Sequence, residues 1–391
     1  MSVIPLIEAD RECGHKAAGL AALLRAGLPV PDGFVVTDPA TDPELIAAHL
    51  RRLPGRAVAV RSSGVAEDTA TASFAGQLAT VLGARGRDEV LAAIQHCAAS
   101  TRSPRAQAYR THLALDGEAS APVIVQALVE ADHAGVLFTR DPRDPRGAGD
   151  PRGAGGDRVV INASWGLGES VVSGLVVPDA LTVTPPADTV RLTVGTKETR
   201  LDLGDRGLVR STVPAPDRAR PCLAPDEVAE LVALGRRCAD LFGQPQDIEW
   251  AVRAGHVWLL QARPITVHAS PAGAPDPGPA LVTGVPSSPG QARGPARLVR
   301  SVDDFARVQR GDVLVCRTTD PAWTPLFRLA AGVVTESGGI LCHAAIVARE
   351  YRIPAVVGAT GALARLPDGA PVTVDGTRGT VSMIKASFTS S

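Results

Sequence analysis

Apolar positions along the chain change period several times, and each change marks an element. Residues 15–26 are rich in Ala and Leu with glycine at either side, the pattern of a short helix. L-P-V-P-D-G-F at 28–34 reads as a turn into a strand at 35–37. A-V-A-V at 57–60 predicts a buried strand, and helical periods follow at 87–100 and 105–115. Strands are expected at 123–126, 134–139 and 159–163, and again at 247–249 and 257–260. An amphipathic helix at 224–242 has Pro225 near its start and Gly243 just past its end. Beyond residue 281 the apolar runs are short and bounded by Gly and Pro. They predict strands near 282 and at 296–299, 312–316, 331–335, 355–357, 372–374 and 380–382, with a helix at 344–351. Small strands around one or two helices make a compact α/β domain.

Between these patterns lies V-H-A-S-P-A-G-A-P-D-P-G-P-A at 267–280. Its four prolines in 14 residues describe a partly stiffened linker, with a reach on the order of 40 Å at ~3.1 Å per residue. The expected organisation is a domain at 1–266, the linker, a domain at 281–385 and a tail at 386–391. The hexapeptide D-P-R-G-A-G occurs twice in a row at 144–155 and reads as a duplicated loop tip with nothing to pack.

Composition narrows the function classes. The formal net charge of −1, without a sustained basic run, gives no support to nucleic-acid or anionic-membrane binding. No apolar run approaches the ~20 residues of a membrane span. The six cysteines form no C-x-x-C pair or zinc spacing, which fits free thiols and a cytoplasmic location. Only three of the 40 basic residues are lysines, at 16, 197 and 385, so a lysine inside a motif carries more weight than usual.

The sharpest chemistry lies in T-E-S-G-G-I-L-C-H-A-A at 335–345. A strand enters, two glycines turn, and a helix leaves, so His343 stands at or just before a helix N-terminus. Free N–H groups and the helix dipole favour added negative charge there. A neutral imidazole is a nucleophile without a strong base, so His343 is a candidate phosphoryl carrier. The alternative is a capping or buried structural histidine.

In the first domain, Lys16 precedes a helix in G-H-K, which alone could be a solvated lysine. Arg61 ends a strand beside Ser62, Ser63 and Gly64, a setting that suits polyphosphate or an ion pair with Glu67 or Asp68. Residues 126–130 join two strands and could act as a hinge against a nucleobase. Period 2 places Asp247 and Glu249 on one strand face, where two carboxylates repel unless a cation lies between them; Mg²⁺ is the natural partner. If the next strand pairs as a hairpin, Gln261 and Arg263 share a face and could add a carbonyl ligand and a phosphate clamp. The alternative is a charge ladder on an edge strand.

These segments closely resemble the phosphoenolpyruvate synthase and pyruvate phosphate dikinase family, which also includes the rifampin phosphotransferases. The resemblance rests on V-R-S-S-x-x-x-E-D from Val60, S-F-A-G-Q from Ser73, G-V-L-F-T-x-D-P from Gly135, D-I-E-W from Asp247, L-L-Q-x-R-P from Leu259 and the His343 motif, where Cys342 stands in place of the usual serine. It implies an α/β (α+β) chain: an ATP-grasp nucleotide domain followed by a small swivelling phosphohistidine domain. It implies that Lys16, Arg61 and Arg263 hold ATP phosphates, that Gly76, Gln77 and Thr80 belong to the loop over the triphosphate, and that Gln126 lies near the adenine. Glu249 and Gln261 would hold Mg²⁺ with Asp247 assisting, and Lys197 is a further candidate phosphate contact. The implied reaction is a dikinase reaction using ATP and Mg²⁺: the β-phosphate passes to His343, and AMP and phosphate leave.

Phosphoenolpyruvate synthases of this family continue into a large pyruvate-binding barrel. Rifampin phosphotransferases set a long acceptor domain where this chain has its short linker. The expected partner is therefore a small-molecule phosphoryl acceptor, a natural product among the candidates. Two alternatives stand beside it: one half of a split phosphoenolpyruvate synthase with a separate acceptor subunit, and a phosphorelay protein acting on a protein partner.

Overall fold

The computed structural model describes residues 2–64, 79–103, 122–142, 158–205, 207–265 and 279–384. The expected helix at 105–115, the D-P-R-G-A-G repeat and most of the linker lie outside these residues. The chain divides into two units. The first holds 1–141, 155–169 and 179–266, and the second holds 142–154, 170–178 and 267–391.

The first unit carries two antiparallel sheets. Strands β1 (Val3–Pro5), β2 (Gly33–Val36), β3 (Val58–Ser62), β4 (Thr80–Ala84) and β5 (Val123–Ala127) pair in the order β1-β2-β5-β3-β4. Helices α1 (His15–Arg25), α2 (Pro43–Leu50) and α3 (Gly86–Ser100) belong to this half. Along α3, Val90, Ala93, Ile94 and Cys97 recur at helical spacing, and that stripe is buried with Val58, Val60 and Ala84 of the sheet.

The second sheet contains β6 (His133–Phe138), β7 (Val159–Trp165), β8 (Asp179–Thr184) and β9 (Thr189–Thr193). Strands β10 (Thr199–Gly204) and β11 (Gly207–Thr212) form a separate hairpin, and β12 (Gln246–Arg253) and β13 (His256–Pro264) complete the sheet in the order β13-β12-β6-β7-β8-β9. Helix α4 (Pro225–Phe242) begins at Pro225 and stops at left-handed Gly243, φ +66°. Its stripe Val228, Leu231, Val232, Leu234 and Cys238 joins Leu20, Leu23, Ile248 and Trp250 in one core.

The second unit is a mixed sheet of strands β14 (Val282–Thr283), β15 (Val285–Ser288), β16 (Gln291–Val299), β17 (Val313–Cys316), β18 (Gly332–Thr335), β19 (Ala355–Val357), β20 (Pro371–Asp375) and β21 (Thr380–Met383). Their order is β14-β21-β20-β16-β17-β18-β19-β15, with β16 to β19 parallel. Parallel neighbours need a crossover, and α5 (His343–Glu350) supplies it between β18 and β19. Residues 170–178, which lie between β7 and β8 in sequence, belong to this unit rather than to the continuous first domain expected from the pattern.

Candidate active site

In the first unit, β3 and the start of α1 are tied together. Gly14 has φ +86°, and a Cβ there would stand 2.0 Å from Ser63 O, so only glycine lets the chain pass. Ser63 Oγ donates to Cys13 O at 2.7 Å and accepts from Ala17 N at 3.1 Å. Lys16 Nζ donates to Ser62 O at 3.2 Å. The G-H-K and R-S-S segments, 46 residues apart, thus form one corner.

Arg61 is 8% exposed, and its Nη1 donates to Leu260 O at 2.8 Å, which joins β3 to β13. The β12–β13 register sets Glu249 opposite Gln261 and Asp247 opposite Arg263, with an irregularity between Glu249 and Trp250. Arg263 Nε donates to Asp247 Oδ2 at 2.8 Å, and both side chains are nearly buried. Asp247 therefore orients the Arg263 fork, which differs from the metal-assisting place the sequence suggested for it. Thr80 faces Arg61 across β3–β4 and is exposed. Gln126 is 1% exposed, with Nε2 donating to Pro31 O at 3.0 Å. Gly76 and Gln77 lie outside the described residues.

Sequence reasoning missed Glu169. Glu169 keeps an exposed surface, but crowding by surrounding atoms pushes its carboxyl up to about 7 from 4.5, the like charge of Glu249 pushes the same way, and Arg61 pulls it down. Glu169, Glu249 and Arg61 therefore share one electrostatic neighbourhood, with Gln261 across the ladder from Glu249. The signal was present as the last residue of G-L-G-E after β7. A repelling carboxylate pair beside an amide oxygen is a hard-oxygen donor set, so these residues fit a Mg²⁺ ion. Among the described residues no group of three or more His, Cys, Asp or Glu side chains is arranged to hold a metal, so the amide of Gln261 is needed to complete the set.

Lys197 is not at this site. It is fully buried, and its Nζ donates to Asp179 Oδ1, to Gly195 O at 3.0 Å and to Arg218 O at 3.1 Å. Asp179 also accepts from Gly195 N and Cys222 N. The pair fastens three stretches of chain, and all three ammonium donors are used.

In the second unit, His343 opens α5 at the C-terminal end of the parallel strands, where α/β sheets present ligand sites. Gly338 makes the preceding turn at φ +100°. The ring is 3% exposed, a 3.1 Å hydrogen bond joins Nδ1 to Thr319 Oγ1, and Phe327 meets it edge-on at 6.5 Å. Arg349, one helix face away, donates to Ile340 O at 2.8 Å and Ser287 O at 3.0 Å and braces the turn. Cys342 is the N-cap residue without a side-chain cap bond. Residues 170–178 bond to the same turn: Gly338 N donates to Val176 O at 3.0 Å and Ser337 Oγ to Gly174 O at 2.6 Å.

No helix among the described residues is long and apolar enough to cross a membrane. Residues 44–278 match the family model described as the AMP/ATP-binding domain of pyruvate phosphate dikinase, and residues 308–379 match the mobile domain of PEP-utilising enzymes. The chain is 36% identical over 425 residues to a probable phosphoenolpyruvate synthase of Methanothermobacter thermautotrophicus, covering 94% of this chain and 61% of that one. Against the phosphoenolpyruvate synthase of Aeropyrum pernix it is 35% identical, with 94% and 56% covered. Against that of Escherichia coli it is 37% identical, with 84% and 43% covered. The chain thus spans less than two thirds of the length of these relatives.

Proposed function

The chain belongs to the pyruvate phosphate dikinase and phosphoenolpyruvate synthase family, and from that premise we propose that it moves a phosphoryl group from ATP through His343 to a small-molecule acceptor. The observation that carries this reading is the clustering of Arg61, Glu249 and Glu169, with Gln261 and Arg263 one strand away. A cationic clamp beside a carboxylate pair is what a magnesium-bound triphosphate requires.

Lys16, Arg61 and Arg263 hold the phosphate oxygens and offset charge that grows on them as the bond to the leaving group lengthens. Glu249, Gln261 and Glu169 would hold Mg²⁺, which would neutralise phosphate charge when bound. Asp247 keeps the Arg263 fork pointed. Thr80 lies beside Arg61 at the triphosphate, and Gln126 sits in the strand that backs the adenine.

In the tautomer whose Nδ1 donates its proton to Thr319 Oγ1, the His343 ring keeps its lone pair on Nε2. Nε2 attacks the β-phosphorus, and AMP departs. Loss of the γ-phosphate to water as inorganic phosphate leaves phosphohistidine. The dipole at the start of α5 steadies the added charge. Because the ring is 3% exposed, transfer needs a rearrangement that presents Nε2 first to the nucleotide and then to the acceptor.

The relatives' name favours a second reading of the acceptor step. Here the chain is the nucleotide and phosphohistidine half of a phosphoenolpyruvate synthase, and pyruvate is phosphorylated at a site on another polypeptide. Supplying the phosphorylated protein with pyruvate, alone and with cell extract, separates the readings. Loss of label to pyruvate only with extract favours the split enzyme. Loss to a small metabolite with no added protein favours a compact phosphotransferase. Loss of label to a protein of the extract, with pyruvate unphosphorylated, favours relay to a protein partner.

A further inference from the structure

A concavity lies in the first unit, at the far end of the β3–β4 ladder from Arg61 and Thr80. It encloses about 330 Å³, within the size range of small-molecule sites. Its floor is apolar: Ala47 of α2 is 5% exposed, and Leu50 and Leu53 pack onto the core around Val58 and Ile94. Its rim carries the guanidinium groups of Arg51, Arg56 and Arg87 against the single carboxylate of Glu44.

The three arginines are not equally committed. Arg87 pairs with Glu44. Arg56 forms a fork with Glu130, at 2.9 Å for each of its two bonds. The side chain of Arg51 makes no hydrogen bond or ion pair with the described residues, so one guanidinium at the mouth keeps its full capacity for an oxyanion. An apolar floor beneath an uncommitted guanidinium selects a ligand with two parts, a compact apolar body and an anionic head.

The placement gives this site a consequence. Val58 opens β3 and pairs with Ala84 at the end of β4, and both line the concavity. Three residues further along β3, Arg61 pairs with Thr80. The concavity and the proposed triphosphate contacts are thus fixed to the two ends of one short antiparallel ladder. We propose that this concavity binds a small organic anion, a carboxylate or phosphate on an apolar body, and that its occupancy changes the affinity of the first unit for Mg-ATP. The second clause rests on the nucleotide-site reading above.

The test uses the full chain and four probes in calorimetric titrations: phenylacetate, phenyl phosphate, benzyl alcohol and acetate. Expected is saturable binding of at least one aromatic anion, with benzyl alcohol and acetate each weaker by about tenfold or more. The tighter of phenylacetate and phenyl phosphate identifies the head group. Arg51→Gln, a change at an exposed position, should weaken the anion about tenfold, and Ala47→Leu, which fills the floor, should remove it. Equal affinity in wild type and Arg51→Gln, or benzyl alcohol binding as tightly as the anions, overturns the site. Titration of Mg-ATP with the probe saturating should show a shift of about fivefold or more in Kd, and an unchanged Kd overturns the coupling. A chain that takes up the probe but binds no Mg-ATP would overturn the nucleotide-site reading while leaving the anion site standing.

Discussion

Thr319 Oγ1 and His343 Nδ1 lie 3.1 Å apart, between the end of β17 and the first residue of α5. One hydrogen bond therefore orients the imidazole ring. Thr319→Val keeps the shape and removes the partner. The rate at which His343 takes label from ATP should fall about tenfold, roughly 1.4 kcal/mol in the barrier, and Thr319→Ser should restore most of it. An unchanged rate in the valine variant would mean that the ring is oriented by its packing alone.

Glu169 has a carboxyl pKa near 7 because desolvation and then Glu249 raise it. A bound Mg²⁺ favours the ionised form, so Mg²⁺ uptake should release a proton and strengthen as pH rises toward 7. Glu169→Gln should flatten that dependence and weaken Mg²⁺ binding at pH 8. Titrations of Mg²⁺ in the presence of nucleotide at pH 5.5, 7 and 8 read this directly.

Gly14 combines φ +86° with a would-be Cβ 2.0 Å from Ser63 O. Gly14→Ala should cost on the order of 2 kcal/mol or more. It should also loosen Mg-ATP binding, because Lys16 and Ser62 lose their common anchor. Denaturant melts and nucleotide titration on the same preparation check both effects.

Lys197→Met leaves Asp179 buried without its cation, a loss of about 3–5 kcal/mol. The part that stays folded should bind Mg-ATP with unchanged Kd. A large loss of nucleotide affinity without loss of stability would return Lys197 to the phosphate site.

Much of this arrangement was legible in the sequence, and what was not has physical reasons. The α4 helix shows its stripe, its Pro225 start and its Gly243 stop, because helix ends depend on local chemistry. The β12–β13 pairing was reachable from period 2 alone, although the Asp247–Arg263 bond requires the register, and the irregularity after Glu249 hides it from sequence. Lys197 looked chemical because lysine is scarce, and only the fold shows Asp179 taking its charge. Glu169 lies 80 positions before Glu249, and no spacing rule joins them. Residues 189–212 mix threonine, charge and single apolar residues, and Val190, Leu192 and Val209 remain exposed in their strands, so no buried face marked them. Nor does composition change at 170–178, where the chain passes into the second unit.

The most direct measurement is peptide mapping after the protein meets Mg²⁺ and ATP labelled at either the β- or the γ-phosphate. An acid-labile label from β-labelled ATP should appear on the peptide that holds His343. The γ-label should appear as inorganic phosphate, and His343→Ala should carry no label. A bare His343 peptide, or equal labelling of the alanine variant, would contradict the carrier role.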